Sequence, residues 1–486
     1  MAAPFPPWVM LEHRCVREDH GCASTIADVN TKASCLTTIG LPISVSLCLA
    51  PPPEGSRVCV HLPAGIKASY SIVLAADGDS VLVQITGIQD RMTDHFVYSA
   101  GDAAVDPPRP PSLYLLSPYG LTDGEELGRR YLDSEGTGLL RRGDDEFVVA
   151  ELNMVYGDDD DTVTAKVAER ALLRSTGRGE WSVTRPPIRH YAAAGKLPSS
   201  WTNHAVVAYG ERLMCWSGAP VRVPLPDDPY FCRSSYRNVC VTGGAIKFVN
   251  IFPRCCCGGA GRSYCRRSNH ACTVRTWTLK MDADMTTTTW VMDGTIDATE
   301  LWSLDGYSNG GLPRVQLDFP VVSMDEPHVI CFTACEYHHA MHGDNTLWVI
   351  MVDMRSKTLR SVFCYPSGRH QRSVTFQQLL ASRVSEYFNS KPTSISKLGA
   401  PKAETVPNSV ARERQMMEMK LQTSNVDVAD LGLPTAFESN NTSMQPRSLA
   451  KILAALEEIP GLDRGDMLKA YRVLLNSFGP PDGFEQ

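Results

Sequence analysis

The stretch SYSIVLAADGDSVLVQIT, residues 69–86, shows the pattern that decides the fold. Apolar and polar residues alternate in its two arms, and Asp77-Gly78 lies between them, which is typical of a tight β-hairpin. Similar short runs recur as far as Tyr365, several with a tryptophan near one end. Long helical periodicity is absent between residues 113 and 365. The sequence therefore predicts a mainly β protein built from antiparallel sheets.

The number and order of these runs favour one propeller-like arrangement. Roughly 17 candidate strands, taken at about four per blade, predict a propeller of four to six blades. Two packed β-sandwich domains would produce a similar pattern and remain an alternative. We favour the propeller because the tryptophan-bearing hairpins follow one another in pairs along the chain.

The β-rich part is predicted to consist of two continuous regions. Residues 1–110 form an N-terminal β-rich region, which ends at the proline cluster PPRPP of residues 107–111. Residues 111–390 form the main β domain, which we interpret as the propeller. Near its end, Phe376, Leu380 and Val384 stand at helical spacing, so a short helix over residues 376–388 should close the domain.

The C-terminal part differs in composition. Residues 391–444 are rich in Ser, Thr, Pro, Lys and Asn and are predicted to form a flexible linker. Residues 445–478 contain two amphipathic helical patterns joined at Pro460-Gly461 and are predicted to form a helical hairpin. Two helices alone bury little surface, so we expect this hairpin to dock on the β domain, to self-associate or to bind a partner.

Composition and charge limit the environment and the partners. Of the 486 residues, 43% are hydrophobic and 21% are charged, which is typical of a globular chain. The formal net charge of -7 provides no positive field for a nucleic acid. No signal peptide is evident, and no apolar run approaches the roughly 20 residues of a membrane span. We therefore expect an intracellular protein, cytoplasmic or nuclear, with reduced cysteines, whose partner is neither a nucleic acid nor a membrane.

Several motifs resemble one family. In chain order they are WVMLE at residues 8–12, LMCW at 213–216, YRNVCV at 236–241, GGAIKFV at 243–249 and VIMVDM at 349–354. Together they resemble the DUF1618 proteins, an uncharacterised plant family that is expanded in grasses. The resemblance covers residues 8–390. It implies a β-rich, propeller-like plant protein, and it transfers no catalytic role and no cofactor.

A cysteine-rich segment carries the densest chemical signal. Thiolates and an imidazole in the stretch could form a tetrahedral zinc site, the weak candidates being Cys255, Cys257, Cys265, His270 and Cys272. The spacing is poor for zinc, because adjacent cysteines cannot all reach one ion and paired Cys-x-x-Cys units are missing. A glycine-rich hairpin loop is the simpler interpretation, and nearby arginines leave thiol redox chemistry as a further alternative.

A second cluster contains His338, His339, His342 and Asp344. Its flanks read as strands, which indicates a hairpin loop, and the zincin motif would need Glu where His339 stands. No nucleophile elbow, P-loop, Rossmann fingerprint or kinase signature occurs in the chain, so no catalytic or cofactor-binding residue is predicted. The sequence therefore favours a non-enzymatic interaction scaffold with an unknown protein partner. A metal-binding or thiol-redox protein that uses the Cys255–Cys272 loop is the alternative.

Overall fold

The structure is a computed structural model that describes residues 5–17, 29–88, 92–118, 131–143, 146–156, 166–175, 179–185, 201–211, 213–220, 233–255, 270–281, 288–335, 346–365, 378–389 and 469–471. The protein is mainly β: about 60% of the described residues lie in strands and very few lie in helices. Antiparallel sheets form a propeller-like arrangement with five blades. The predicted fold class is therefore confirmed.

The first strands of the chain belong to a sheet that we call the closing sheet. Its strands from the N-terminal region are β1 Val9–Glu12, β2 Val16–Arg17, β3 Ala33–Leu36, β4 Pro42–Cys48 and β5 Gly55–His61. A 3-10 helix, Val29–Thr31, precedes β3. β1 pairs in parallel with β5, whereas β3, β4 and β5 pair in antiparallel order.

The five blades follow in chain order. Blade one contains β6 Tyr70–Asp77, β7 Ser80–Ile88, β8 Met92–Ser99 and β9 Ser112–Leu115. Blade two contains β10 Thr137–Arg142, β11 Glu146–Tyr156, β12 Lys166–Arg174 and β13 Trp181–Thr184. Blade three contains β14 Trp201–Tyr209 and β15 Leu213–Pro220. The proline cluster lies between β8 and β9, so residue 110 falls inside blade one.

The last two blades are separated by a short helical connection. Blade four contains β16 Arg237–Thr242, β17 Ala245–Cys255, β18 His270–Met281 and β19 Thr288–Asp297. A 3-10 helix, Arg233–Tyr236, precedes it. The helices α1 Ala298–Trp302 and α2 Asp305–Asn309 follow, and Asp297 caps α1 in a capping box with Glu300. Blade five contains β20 Asp318–Val322, β21 Val329–Ala334, β22 Leu347–Asp353 and β23 Thr358–Tyr365.

A strand near the end of the β domain completes the ring. β24 Leu379–Ser382 pairs with β1 in antiparallel order, with Leu379 opposite Glu12, and a 3-10 helix, Val384–Phe388, follows it. The helix predicted over residues 376–388 is therefore wrong at β24, and among the described residues of this range only Val384–Phe388 are helical. The reason is tertiary: β1 needs a partner on its second side, and pairing with it buries Leu379, which outweighs the local helical pattern.

Hydrophobic clusters show that the sheets form a closed ring. Each of the six clusters of buried side chains is shared by two successive sheets, from the closing sheet with blade one to blade five with the closing sheet. The first strands of successive blades are also in contact, and β24 contacts both β20 and β6. A ring of this kind buries one face of every sheet against each neighbour, as a propeller requires.

The C-terminal part is described at three residues only. Lys469–Tyr471 form a strand, β25, that pairs in parallel with β15 of blade three. At these residues the structure has a strand where the sequence pattern predicts the second terminal helix. The rest of the predicted hairpin, residues 445–478, and the predicted linker, residues 391–444, lie outside the described residues.

Candidate functional site

Strand order divides the connections between two faces of the ring. First-to-second-strand and third-to-fourth-strand connections lie on one face, which we call the turn face. Most of them are short: residues 78–79, 143–145, 210–212, 243–244, 323–328, 100–111, 175–180, 282–287 and 354–357. Second-to-third-strand and blade-to-blade connections lie on the opposite face, the loop face. Most of these are longer: residues 89–91, 157–165, 256–269, 335–346, 116–136, 185–200, 221–236 and 298–317. The longest connections between strands therefore begin and end on the loop face.

The cysteine-rich segment connects β17 and β18 on the loop face. Cys255 is the last residue of β17, and its backbone pairs directly with that of His270, the first residue of β18. Cys257 and Cys265 belong to the intervening residues 256–269, which lie outside the described residues. The predicted position between two hairpin strands is therefore correct, and the backbones of Cys255 and His270 are brought together.

Cys272 is in a different environment from the rest of the set. Its side chain is 0% exposed and belongs to the hydrophobic cluster shared by blades four and five. A thiol in a strand can pack as a small apolar side chain. The spacing of the cysteines does not show which of them packs in this way. Within the described ranges, no group of three or more His, Cys, Asp or Glu residues could hold a metal ion.

The connection between β21 and β22 also begins and ends on the loop face. His338, His339, His342 and Asp344 fall in residues 336–345, outside the described part, in the connection between β21 and β22. Ala271 near the start of β18 and Ala334 at the end of β21 share one hydrophobic cluster. The strand ends that lead into the cysteine and histidine connections are therefore neighbours.

One buried and one half-buried thiol in blades three and four have raised pKa values. Burial raises the pKa of Cys215 to about 12. Burial also raises the pKa of Cys240 to about 12, although the charge of Lys247 acts in the opposite direction. Thiols with such pKa values stay protonated at neutral pH and are poor nucleophiles. Thiol chemistry in these blades would have to come from other cysteines.

A buried carboxyl group lies where the closing sheet meets blade five on the loop face. Glu12 is 6% exposed, and the Tyr365 hydroxyl donates a hydrogen bond to its Oε1 at 3.2 Å. The same hydroxyl accepts a hydrogen bond from the backbone N–H of Gly55 at 3.0 Å. Burial raises the pKa of Glu12 to about 7, although the charge of Arg57 and the bond from Tyr365 act in the opposite direction. This carboxyl group therefore titrates near neutral pH within a structural contact.

A second polar group lies on the turn face of blade five. His328 Nε2 lies 3.6 Å from Glu326 Oε2 and 3.8 Å from Asp353 Oδ2. Arg360 donates to Asp353 Oδ2 at 2.5 Å, and the backbone N–H groups of Arg355 and Ser356 donate to its Oδ1. Burial favours the protonated form, but these hydrogen bonds hold the pKa of Asp353 well below its usual range. The carboxylate therefore stabilises the turn between β22 and β23.

Blade four contains an ion pair between a buried lysine and a partly exposed aspartate. The Lys247 side chain is 4% exposed, and its Nζ lies 2.9 Å from Asp293 Oδ2. Thr276 and Thr278 donate hydrogen bonds to the same carboxylate at 2.5 and 2.6 Å. Lys247 and the two threonines thus bind the Asp293 carboxylate at the position where the register of β18 and β19 shifts. The pair has a structural role in the blade.

A family comparison covers the middle of the chain. Residues 219–331 match the family model described as "Protein of unknown function (DUF1618)". The match supports membership of that family. It spans the end of β15, all of blade four and blade five as far as Cys331, including the cysteine-rich connection. No curated protein and no solved structure matches the chain. Neither α-helix of the described part is long and apolar enough to cross a membrane.

Proposed function

We propose that this chain is a plant protein of the DUF1618 family, of the kind expanded in grasses, that acts as a non-enzymatic scaffold for a protein partner. The observation that carries the proposal is the asymmetry of the ring, which has mostly short connections on one face and mostly longer connections on the other. A rigid sheet frame that presents variable loops at one face suits recognition of another protein. The partner binds the loop face.

The chemistry of the buried polar groups supports a role other than catalysis. Asp353 accepts the hydrogen bonds that hold a turn, and Asp293 neutralises the buried charge of Lys247. A catalytic acid or base needs a free position at which a reacting atom can sit, and these groups already have protein partners. The net charge of -7 favours a protein partner over a nucleic acid. We place the scaffold inside the cell, in the cytoplasm or the nucleus.

The pairing of Cys255 with His270 allows a sharp test. Because these residues are directly opposite each other, a two-residue Asn-Gly turn can replace residues 256–269 and still close the hairpin. A matched control inserts a few Gly and Ser residues between Gly243 and Gly244, where open space surrounds the turn on the other face. Pull-downs from plant tissue should lose specific partners with the replacement and keep them with the insertion. Equal recovery by both variants would refute the proposal.

Metal binding or thiol-redox chemistry of the Cys255–Cys272 loop is the second candidate function. The observation in its favour is that the backbones of Cys255 and His270, two of the ligand candidates, are paired directly. The test is the metal content of the wild type and of a C255S/C257S/C265S variant. Cys272 stays unchanged in that variant because its side chain is buried in the core. One equivalent of zinc that is lost in the variant would support the site, and no metal in either protein would eliminate zinc binding.

Thiol titration at neutral pH separates redox chemistry from metal binding. A fast-reacting thiol that disappears when residues 256–269 are replaced would support the redox form of this second candidate. Equal and slow reaction of both proteins would eliminate it.

A further inference from the structure

Blade three is incomplete in the described part of the chain. Blades one, two, four and five each have four strands of their own, whereas blade three has β14 and β15 and takes its third strand from Lys469–Tyr471. The edge of β15 thus accepts an extended segment from a distant part of the chain. An edge strand with free backbone groups is a template for strand addition.

Blade four presents aromatic side chains toward this incomplete blade. Phe248 and Trp277 belong to the cluster shared with blade three, and their rings are 5.4 Å apart. Trp290 packs against the same cluster, 6.2 Å from Phe248. Met292 pairs with Trp277 across β18 and β19, so both side chains lie on this face, and Met292 is 56% exposed. An apolar surface therefore continues beyond the strands of blade three.

Blade two presents positive charge from the opposite side. Leu172 packs against the cluster shared with blade three, and Arg170 and Arg174 lie two residues before and after it in β12, on the same face. The Nε atom of Arg170 is buried with no hydrogen-bond partner among the described residues. Burial, and then the charge of Arg174, lowers the pKa of Arg170. An anionic side chain placed here would accept a hydrogen bond from Arg170 and would stabilise its buried positive charge.

Side chains of β15 show how an added strand would alternate between these surfaces. Met214 and Trp216 belong to the cluster shared with blade two, and Cys215 belongs to the cluster shared with blade four. Successive side chains of a neighbouring strand alternate in the same way. One set would meet the aromatic surface and the other the two arginines.

We propose that the edge of β15 binds an extended peptide of a partner protein in which apolar residues alternate with acidic residues. This inference rests on the proposed scaffold function and specifies one partner segment. The chain's own residues 469–471 occupy the same edge and compete with the peptide, so the C-terminal segment regulates access.

The experiment uses the full chain and a labelled peptide of alternating valine and glutamate. A second peptide has lysine in place of glutamate. The glutamate peptide should bind at least about tenfold more tightly, and the R170Q/R174Q variant should abolish the preference. Met292→Asp should weaken binding about tenfold, whereas Val362→Asp, at a 37% exposed position on the outer strand of blade five, should leave it unchanged. Equal binding of both peptides, or equal effects of M292D and V362D, would overturn the proposal.

Proline variants test the competition by the C-terminal segment. Neighbouring N–H groups of a strand point to opposite sides, so one of Ala470→Pro and Tyr471→Pro removes a donor that faces β15. That variant should bind the glutamate peptide about tenfold more tightly than the wild type, because an intramolecular competitor has been weakened. Unchanged affinity in both variants would refute the regulation. These assays leave residues 256–269 intact. The peptide proposal can therefore fail while the loop-face pull-down succeeds, and the pull-down can fail while the peptide binds.

Discussion

Glu12→Gln should change how the stability of the ring depends on pH. The Glu12 carboxyl accepts a hydrogen bond from the Tyr365 hydroxyl and lies at the end of β1, where the closing sheet meets blade five. Glutamine keeps the size and the accepting oxygen of the protonated acid but cannot ionise. The substitution therefore removes one titration and preserves the contact.

The size of the effect follows from the pKa of Glu12, which burial raises from 4.5 to about 7. Between these values the folded protein holds a proton that the unfolded chain releases, so wild-type stability falls as pH rises from about 4.5 and levels off above about 7. Each tenfold change in the ionisation equilibrium is worth ~1.4 kcal/mol, which sets an upper limit of about 3 kcal/mol. The free energy of unfolding of the glutamine variant should not fall in this way as the pH rises.

Urea unfolding of both proteins at pH 4.5 and at pH 8 measures the difference. The free energies of unfolding should be close at the lower pH, and the variant should be more stable by up to about 3 kcal/mol at the higher pH. Glu180→Gln is the control, because Glu180 is exposed, and it should change neither value. A difference between Glu12→Gln and the wild type that is the same at both pH values would refute the assignment of a buried, titrating carboxyl group.

Three further substitutions test individual contacts. Gly55→Ala should lower the free energy of unfolding by roughly 1–3 kcal/mol, because the added Cβ would overlap the Tyr365 hydroxyl; adding Tyr365→Phe should recover part of the loss, and no recovery in the double variant would contradict the steric cause. Lys247→Met should cost about 1 kcal/mol, because the Asp293 carboxylate loses its cation but is partly solvated; adding Asp293→Asn should restore most of that stability, and additive losses in a double-mutant cycle would contradict the pairing. Asp353→Ala should cost ~1–3 kcal/mol because two backbone N–H groups of its turn lose their acceptor; an unchanged melting temperature would show that the turn does not depend on this carboxylate.

Local patterns predicted the hairpins well because the determinants of a hairpin are local. The alternating arms of residues 69–86 became β6 and β7, with the turn at Gly78 in the left-handed region. The closing sheet could not be read in the same way, because β1 and β24 are paired across almost the whole β domain. Residues 376–388 show the consequence, since a helical pattern gave way to strand pairing with β1.

The candidate site was harder to predict for the same reason. Glu12 and Tyr365 are separated by 353 residues, so no motif spacing could connect them. The cysteine-rich segment was correctly placed between two strands, yet the burial of Cys272 depends on how blade four packs against blade five. The incomplete blade three was equally hidden, because it depends on which strands share a sheet.

Partner recovery by the loop-face variant tests the central proposal most directly. Wild type, the Asn-Gly replacement of residues 256–269 and the turn-face insertion between Gly243 and Gly244 are compared by quantitative mass spectrometry of proteins recovered from plant tissue. We expect at least about a tenfold loss of a specific partner with the replacement, since removing a central contact costs ~1.4 kcal/mol or more. The insertion should leave recovery unchanged. Partners that are recovered equally by all three proteins, or lost equally with both variants, would contradict the assignment of the loop face as the binding surface.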